Sequence, residues 1–134
     1  MSAASPSREA AEAAVARMRT MSLDLRGCAV LGGDGEVLAA SSDPGRWKEA
    51  AAILLGAADL ARDEPAEHLH VGTEDGEVFA VRHGDLAMVA VSERFTLASL
   101  MVFDMRTVLR DLVAPAGAEG VHDPRQARSR AWRP

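Results

Sequence analysis

The chain has 134 residues, 48% of them hydrophobic and 26% charged, with a formal net charge of −5. That is apolar material for one core and too little chain for two, and an acidic body argues against a nucleic-acid-binding core, which would present a basic face. No apolar run approaches the roughly 20 residues of a membrane span, and the first residues lack the segments of a signal peptide, so a cytoplasmic protein without stable membrane insertion is expected.

In chain order, Ser5-Pro6 reads as a helix start, and Ala11, Ala14, Val15, Met18 and Met21 make one apolar stripe behind it. Short apolar runs at 27–32 and 36–41 flank Asp34-Gly35, a dipeptide whose tolerance of positive φ suits a two-residue hairpin turn. The single cysteine, Cys28, excludes an internal disulfide and, lying in the first of these runs, reads as a small buried hydrophobe.

Ser42-Asp43-Pro44-Gly45 breaks the chain before a central helix, and Asp63-Glu64-Pro65 stops it. Residues 50–58 of that helix carry no polar side chain. At one residue per 100°, the apolar positions from Trp47 to Ala61 fill an arc of roughly 220°, where a surface helix needs little more than about 100°. One sheet cannot cover that arc, and a second copy of the chain is the simplest second partner.

Runs at 68–73, 77–82 and 86–92 form a three-strand meander turning at Asp75-Gly76 and near Gly84-Asp85. The last run is apolar on both faces and is expected at the sheet centre, with helices on both sides. A final helix over 96–113 places Leu97, Met101, Met105, Val108, Leu109 and Leu112 on one stripe, with Leu100 and Phe103 opposite and expected under the first helix. A two-residue turn at Asp75-Gly76 sets Phe79 opposite Gly72 and His83 opposite His68, and Trp47 is expected to anchor the central helix.

Three catalytic or ligand-binding readings compete with a binding role. His68, His70 and His83 on one sheet face would offer three imidazoles to zinc, against a plainer reading as solvated edge-strand histidines. Ser41, Ser42 and Asp43 lie in a turn where such residues serve local hydrogen bonds, and no triad can be assembled by spacing. Gly32-Gly33-Asp34-Gly35 lacks the lysine of a phosphate loop and the helix of a dinucleotide site. No cofactor, metal or catalytic residue is assigned. A small-ligand sensory domain of PAS or GAF type is the alternative from another class, though three Phe, two Trp and no Tyr offer few rings for such a pocket.

The element order, the segment Ala29-Val30-Leu31-Gly32-Gly33-Asp34-Gly35-Glu36-Val37-Leu38-Ala39-Ala40-Ser41 and the apolar central helix together resemble a roadblock/LC7 domain, over Arg8 to about Val113 and nearest to bacterial members. The resemblance implies an α+β, profilin-like fold, α-β-β-α-β-β-β-α, with a five-stranded antiparallel sheet and helices on both faces. It also implies a homodimer in which central helices pack together and third strands pair edge to edge. Trp47, Ala50, Ala51, Leu54, Ala57, Ala58, Ala61, Leu69 and Val71 would then form the interface. Roadblock proteins act as platforms without catalytic chemistry, and bacterial ones are typically partners of Ras-like small GTPases; in the gliding-motility group a dimer activates a polarity GTPase by repositioning that enzyme's own residues. Lys48, Glu49, Ala52, Gly56 and Asp59, on the far side of the central helix, are the candidate docking positions, against the plainer reading of a solvated face. Arg46, Arg62, Arg82 and Arg94 read as solvated arginines, none of them an arginine finger.

The expected organisation is a flexible start at 1–6, the domain at 7–114 and a disordered basic tail at 115–134, where Pro115, Gly117, Gly120 and Pro124 break structure. Arg128, Arg130, Trp132 and Arg133 of that tail would suit an acidic protein surface or anionic lipid, against a plain solubilising role.

Overall fold

The computed structural model describes residues 6–60 and 67–113. The elements follow in the order α1 (Arg8–Met21), β1 (Leu25–Leu31), β2 (Val37–Ala40), α2 (Pro44–Leu60), β3 (His68–Gly72), β4 (Glu77–His83), β5 (Leu86–Ser92) and α3 (Ala98–Val113). The strands make one antiparallel sheet in the order β2-β1-β5-β4-β3. β5 is central, as its two-sided apolar pattern requires. Leu86, Met88 and Ala90 face a core built with α1 and α3, while Ala87 and Val89 face a second core under α2. Fold class and element order are those expected from the sequence.

α1 begins two residues later than expected. Ser7, not Ser5, is the cap: its Oγ accepts the Ala10 N–H at 3.0 Å, and Pro6 precedes the helix. Ala11, Ala14, Val15 and Met18 are buried, while Met21 ends the helix partly in water. Cys28 is fully buried in β1, and burial pushes its thiol up to about 11, so it stays protonated and unreactive.

Two turns differ from the expected geometry. At the first, the Gly35 N–H reaches the Gly32 carbonyl at 3.0 Å and Gly35 takes φ +83°, so the loop is Gly33-Asp34-Gly35, three residues with glycine in the left-handed position. At the second, Thr73 N–H donates to the Gly76 carbonyl at 2.8 Å, and Thr73 Oγ1 accepts the amides of Asp75 and Gly76. The two-residue loop is therefore Glu74-Asp75. Moving a hairpin centre by one residue moves the register by two. His70 pairs with Phe79, Gly72 with Glu77 and His68 with Val81, instead of the expected Phe79–Gly72 and His83–His68 pairs.

α3 also differs at its outer face. α1 packs on the flank that carries Asp104 and Asp111, where Arg17 pairs with Asp111 at 2.6 Å, so it does not cover Leu100 or Phe103. Both are exposed, as is Leu97, which precedes the helix instead of opening its buried stripe.

Gly76 has no unusual φ; its requirement is space, because a Cβ there would overlap the Ser92 carbonyl oxygen. Gly76→Ala is expected to cost about 2–3 kcal/mol in urea unfolding, since backbone cannot yield as a side-chain tip can. Gly35→Ala, with open space but a left-handed φ, is expected to cost about 1 kcal/mol.

Candidate functional site

α2 is set by its first turn. Asp43 Oδ1 accepts the Gly45 N–H at 3.0 Å, the Asp43 carbonyl accepts the Trp47 N–H at 3.3 Å, and Pro44 occupies the first helical position, where its missing N–H costs nothing. The neighbouring serines are equally local. Ser41 Oγ accepts the Cys28 N–H and Ser42 Oγ accepts the Trp47 indole N–H, both at 2.9 Å, so Ser41, Ser42 and Asp43 are occupied in holding β1 and α2.

Trp47 lies flat on the sheet because Gly27 has no side chain; a Cβ there would stand 3.1 Å from the indole Cζ2. Trp47, Leu54 and Leu55 pack around fully buried Ala51 onto Ala29, Leu31, Ala80 and Val89. That uses one side of the helix. On the adjoining flank Ala50, Ile53, Ala57 and Leu60, spaced three, four and three residues apart, form one line along the axis. All four face water, Ile53 at 69% and Leu60 at 91% exposure.

β3 is an edge of the sheet, paired with β4 alone among the described strands. Its side chains alternate. Leu69 joins the α2 core, partly buried, and Val71 is exposed at 39%. His68 and His70 point to the α3 side. His68 Nδ1 meets Arg106 Nη2 at 3.1 Å, and His70 stacks on buried Phe79 with ring centroids 4.5 Å apart. His70 Nε2 also contacts Glu77 Oε1, and Glu77 Oε2 accepts the Phe95 N–H at 3.2 Å. The histidine hydrogen bond, then the Phe95 amide, hold the Glu77 carboxyl below its ordinary range. The register leaves His83 two residues beyond Val81, the partner of His68, and among the described residues no group of three or more His, Cys, Asp or Glu is placed to hold a metal ion.

Of the interface expected from the sequence, Ala50 and Ala57 are exposed on α2, Val71 is exposed on β3, and Leu54 and Leu69 are partly buried against the α2 core. Ala51 and Trp47 are engaged with their own sheet; the Ala58 side chain and Ala61 fall outside the described residues. Ile53 and Leu60, outside that expected set, are exposed on the same line. Among the docking candidates, Glu49, Ala52 and Gly56 are exposed, with open space beyond Gly56. Lys48 is paired with Glu36 at 2.7 Å. Asp59 is gripped by Arg82 through two N–H groups, at 2.6 and 2.9 Å, so Arg82 is a strut between α2 and β4 and not a solvated arginine. Arg46 is exposed, Arg94 lies over the Phe95 ring, and Arg62 is outside the described residues.

The arrangement of helices around this sheet matches solved structures. A roadblock/LC7 domain from Streptomyces avermitilis aligns with a TM-score of 0.65 at 14% identity, over 75% of this chain and 92% of that one. The fold is that of a roadblock/LC7-like domain. Myxococcus xanthus MglB aligns with a TM-score of 0.65 at 10% identity, over 87% of this chain and 99% of its own. A Schizosaccharomyces pombe profilin, at 0.56 and 15%, covers 77% of this chain and 96% of its own, so the roadblock/LC7-like architecture is also profilin-like. No family model matches the sequence, and no curated protein matches it. No helix among the described residues of this roadblock/LC7-like domain is long and apolar enough to cross a membrane.

Arg82→Ala is expected to cost about 1 kcal/mol in chemical denaturation, the upper end for a partly exposed pair, with the loss shrinking as salt is raised. Because the Glu77 carboxyl is lowered in the folded state, its contribution is present above the ordinary carboxylate range and lost as pH falls through its lowered value. Glu77→Gln should therefore reduce the urea midpoint at neutral pH and converge with the wild type once the pH falls below that lowered value.

Proposed function

We propose that the chain is a non-catalytic homodimeric platform that binds a Ras-like small GTPase and modulates its nucleotide cycle or its location. The observation that carries this reading is the solvent-facing line Ala50, Ile53, Ala57 and Leu60 on α2, together with β3 as an edge paired only with β4 among the described strands. A two-fold axis through that edge would pair β3 with its copy and lay the two α2 flanks together, an isologous contact in which each surface meets itself.

Burying an aliphatic side chain contributes about 1.5–3 kcal/mol, so Ile53 and Leu60 from two copies supply roughly what association costs in lost freedom. The strand pairing supplies the rest and fixes the orientation. The structural likeness to a roadblock/LC7 domain and to MglB supports the same reading. GTPase regulation would then consist of ordering the partner's switch loops, with the exposed side of α2 around Glu49, Ala52 and Gly56 as the docking surface. Among the described residues the grooves at the α1–α3 end and beside β3 are open to solvent, so neither favours the sensory-domain alternative.

Light scattering at micromolar concentration should give twice the 14.2 kDa chain mass. Ile53→Glu, at a position already in water, should keep the circular dichroism spectrum and raise the dimer dissociation constant more than about tenfold. Small GTPases loaded with GDP or a non-hydrolysable GTP analogue should bind the wild type in one nucleotide state only. Gly56→Arg should remove that binding while leaving the dimer mass intact. A monomeric wild type would remove the platform, and a dimer indifferent to every GTPase encoded near it would remove the partner.

A further inference from the structure

α3 has three occupied or open sides. One packs on β4 and β5 and a second meets α1; the third, with Val102 and Arg106 at its middle, looks across an open groove of about 460 Å³ whose other wall carries His68 and His70 of β3. The groove has a polarity of its own. In a chain of net charge −5, none of the described residues lining it is a carboxylate. Arg106 and Arg110 stand one helical turn apart along it, and among the described residues neither is in an ion pair, whereas Arg17, Arg26 and Arg82 all are. Arg106 meets the His68 ring nitrogen at 3.1 Å, a contact that adds no negative charge.

The other end of the groove is apolar and aromatic. Phe103, which lines it, is 62% exposed; outside the lining, just ahead of α3, Phe95 is 84% exposed, so two of the chain's three phenylalanines lie in water. Phe95 is also the one non-glycine residue with positive φ among the described residues, at 63°. A bulky side chain in that conformation is uncommon, and here the ring meets only the Arg94 guanidinium, 4.8 Å from its centroid, among the ring contacts of the described residues. The conformation is held by the Phe95 N–H on Glu77, the carboxylate that also engages His70 in the groove wall.

We propose that the groove between β3 and α3 docks an acidic protein segment bearing an aromatic or large aliphatic side chain, with its carboxylates on Arg106 and Arg110 and its apolar group against Phe103 and Val102. Charge selects this occupant. The chain's own tail, with Arg125, Arg128, Arg130 and Arg133, would be repelled. A nucleic acid would bring its repeating charge against the acidic body, while a short segment need meet only the groove, whose local field prevails within a Debye length of about 8–10 Å. The site lies on the opposite face of the sheet from α2 and stands whether the chain is a monomer or a dimer.

The test is fluorescence anisotropy on the full chain with a fluorescein-labelled nonapeptide, Glu-Asp-Glu-Phe-Glu-Asp-Leu-Glu-Glu, at low salt. Binding is expected, with at least about tenfold loss in the double variant Arg106→Glu, Arg110→Glu and a smaller loss in Phe103→Ser. Equal binding of the peptide with lysine at every acidic position would overturn the proposal. So would undiminished binding to the double arginine variant, or displacement of the peptide by an equal amount of oligothymidine. A change in solution mass on replacing the two arginines would also overturn it, since the groove would then be an interface between copies.

Discussion

The structure depends on covering β5, a strand buried on both faces. Its alternating Leu86, Met88 and Ala90 on one side and Ala87 and Val89 on the other demand a helical layer above and below the sheet, and three helices must supply both. Five strands at about 4.8 Å spacing span roughly 19 Å, close to two helix diameters. α1 and α3 together therefore cover most of their face and leave β3 at the margin. α2 covers its own face alone and leaves more. The apolar line of α2 and the two open sides of β3 are the residue of this shortage, which is why the candidate surfaces lie there.

How α2 approaches the sheet follows from small side chains. Ala51 at the centre of its contact and Gly27 beneath Trp47 let helix and sheet come close enough to exclude water with few large residues. The same economy thins the adjoining flank: two of its four positions, Ala50 and Ala57, are alanine, so only Ile53 and Leu60 give the exposed line much hydrophobic weight. The Asp59–Arg82 strut fixes the far end of the helix on β4, so that line is presented on a held frame.

Much of this was legible in the sequence. Two-sided apolarity placed β5 at the centre, and an apolar arc too wide for one sheet marked α2 as a helix with an uncovered flank. What was not legible turned on choices between nearly equal local options. A threonine hydroxyl capturing two amides moved the β3–β4 turn by one residue, which no alternation pattern registers, because a shift of two in register leaves every side chain on its own face. Leu100 and Phe103 read as core because the flank on which α1 meets α3 is set by tertiary packing and not by α3's own stripe. Arg82 read as solvated because its partner is 23 residues away on another element. Phe95 carries no local signal at all for a left-handed backbone; its conformation is imposed by Glu77 across the sheet.

β3 joins the two surfaces. Leu69 and Val71 belong to the α2 face, His68 and His70 to the α3 face, and a five-residue strand holds both sets rigid with respect to each other. If two copies pair through this edge, the strands that close the dimer also bring two grooves, each with its Arg106 and Arg110, to either side of one axis. Ligands in both grooves would then be tied to the dimer by geometry: a partner presenting two acidic segments at that spacing would gain from the second contact at high effective concentration, while one acidic segment would gain nothing from dimerisation. The α2 flank, on the other face, would remain free of either ligand. Coupling between the two faces would have to pass through the β3 backbone, whose alternating side chains are all that the two surfaces share.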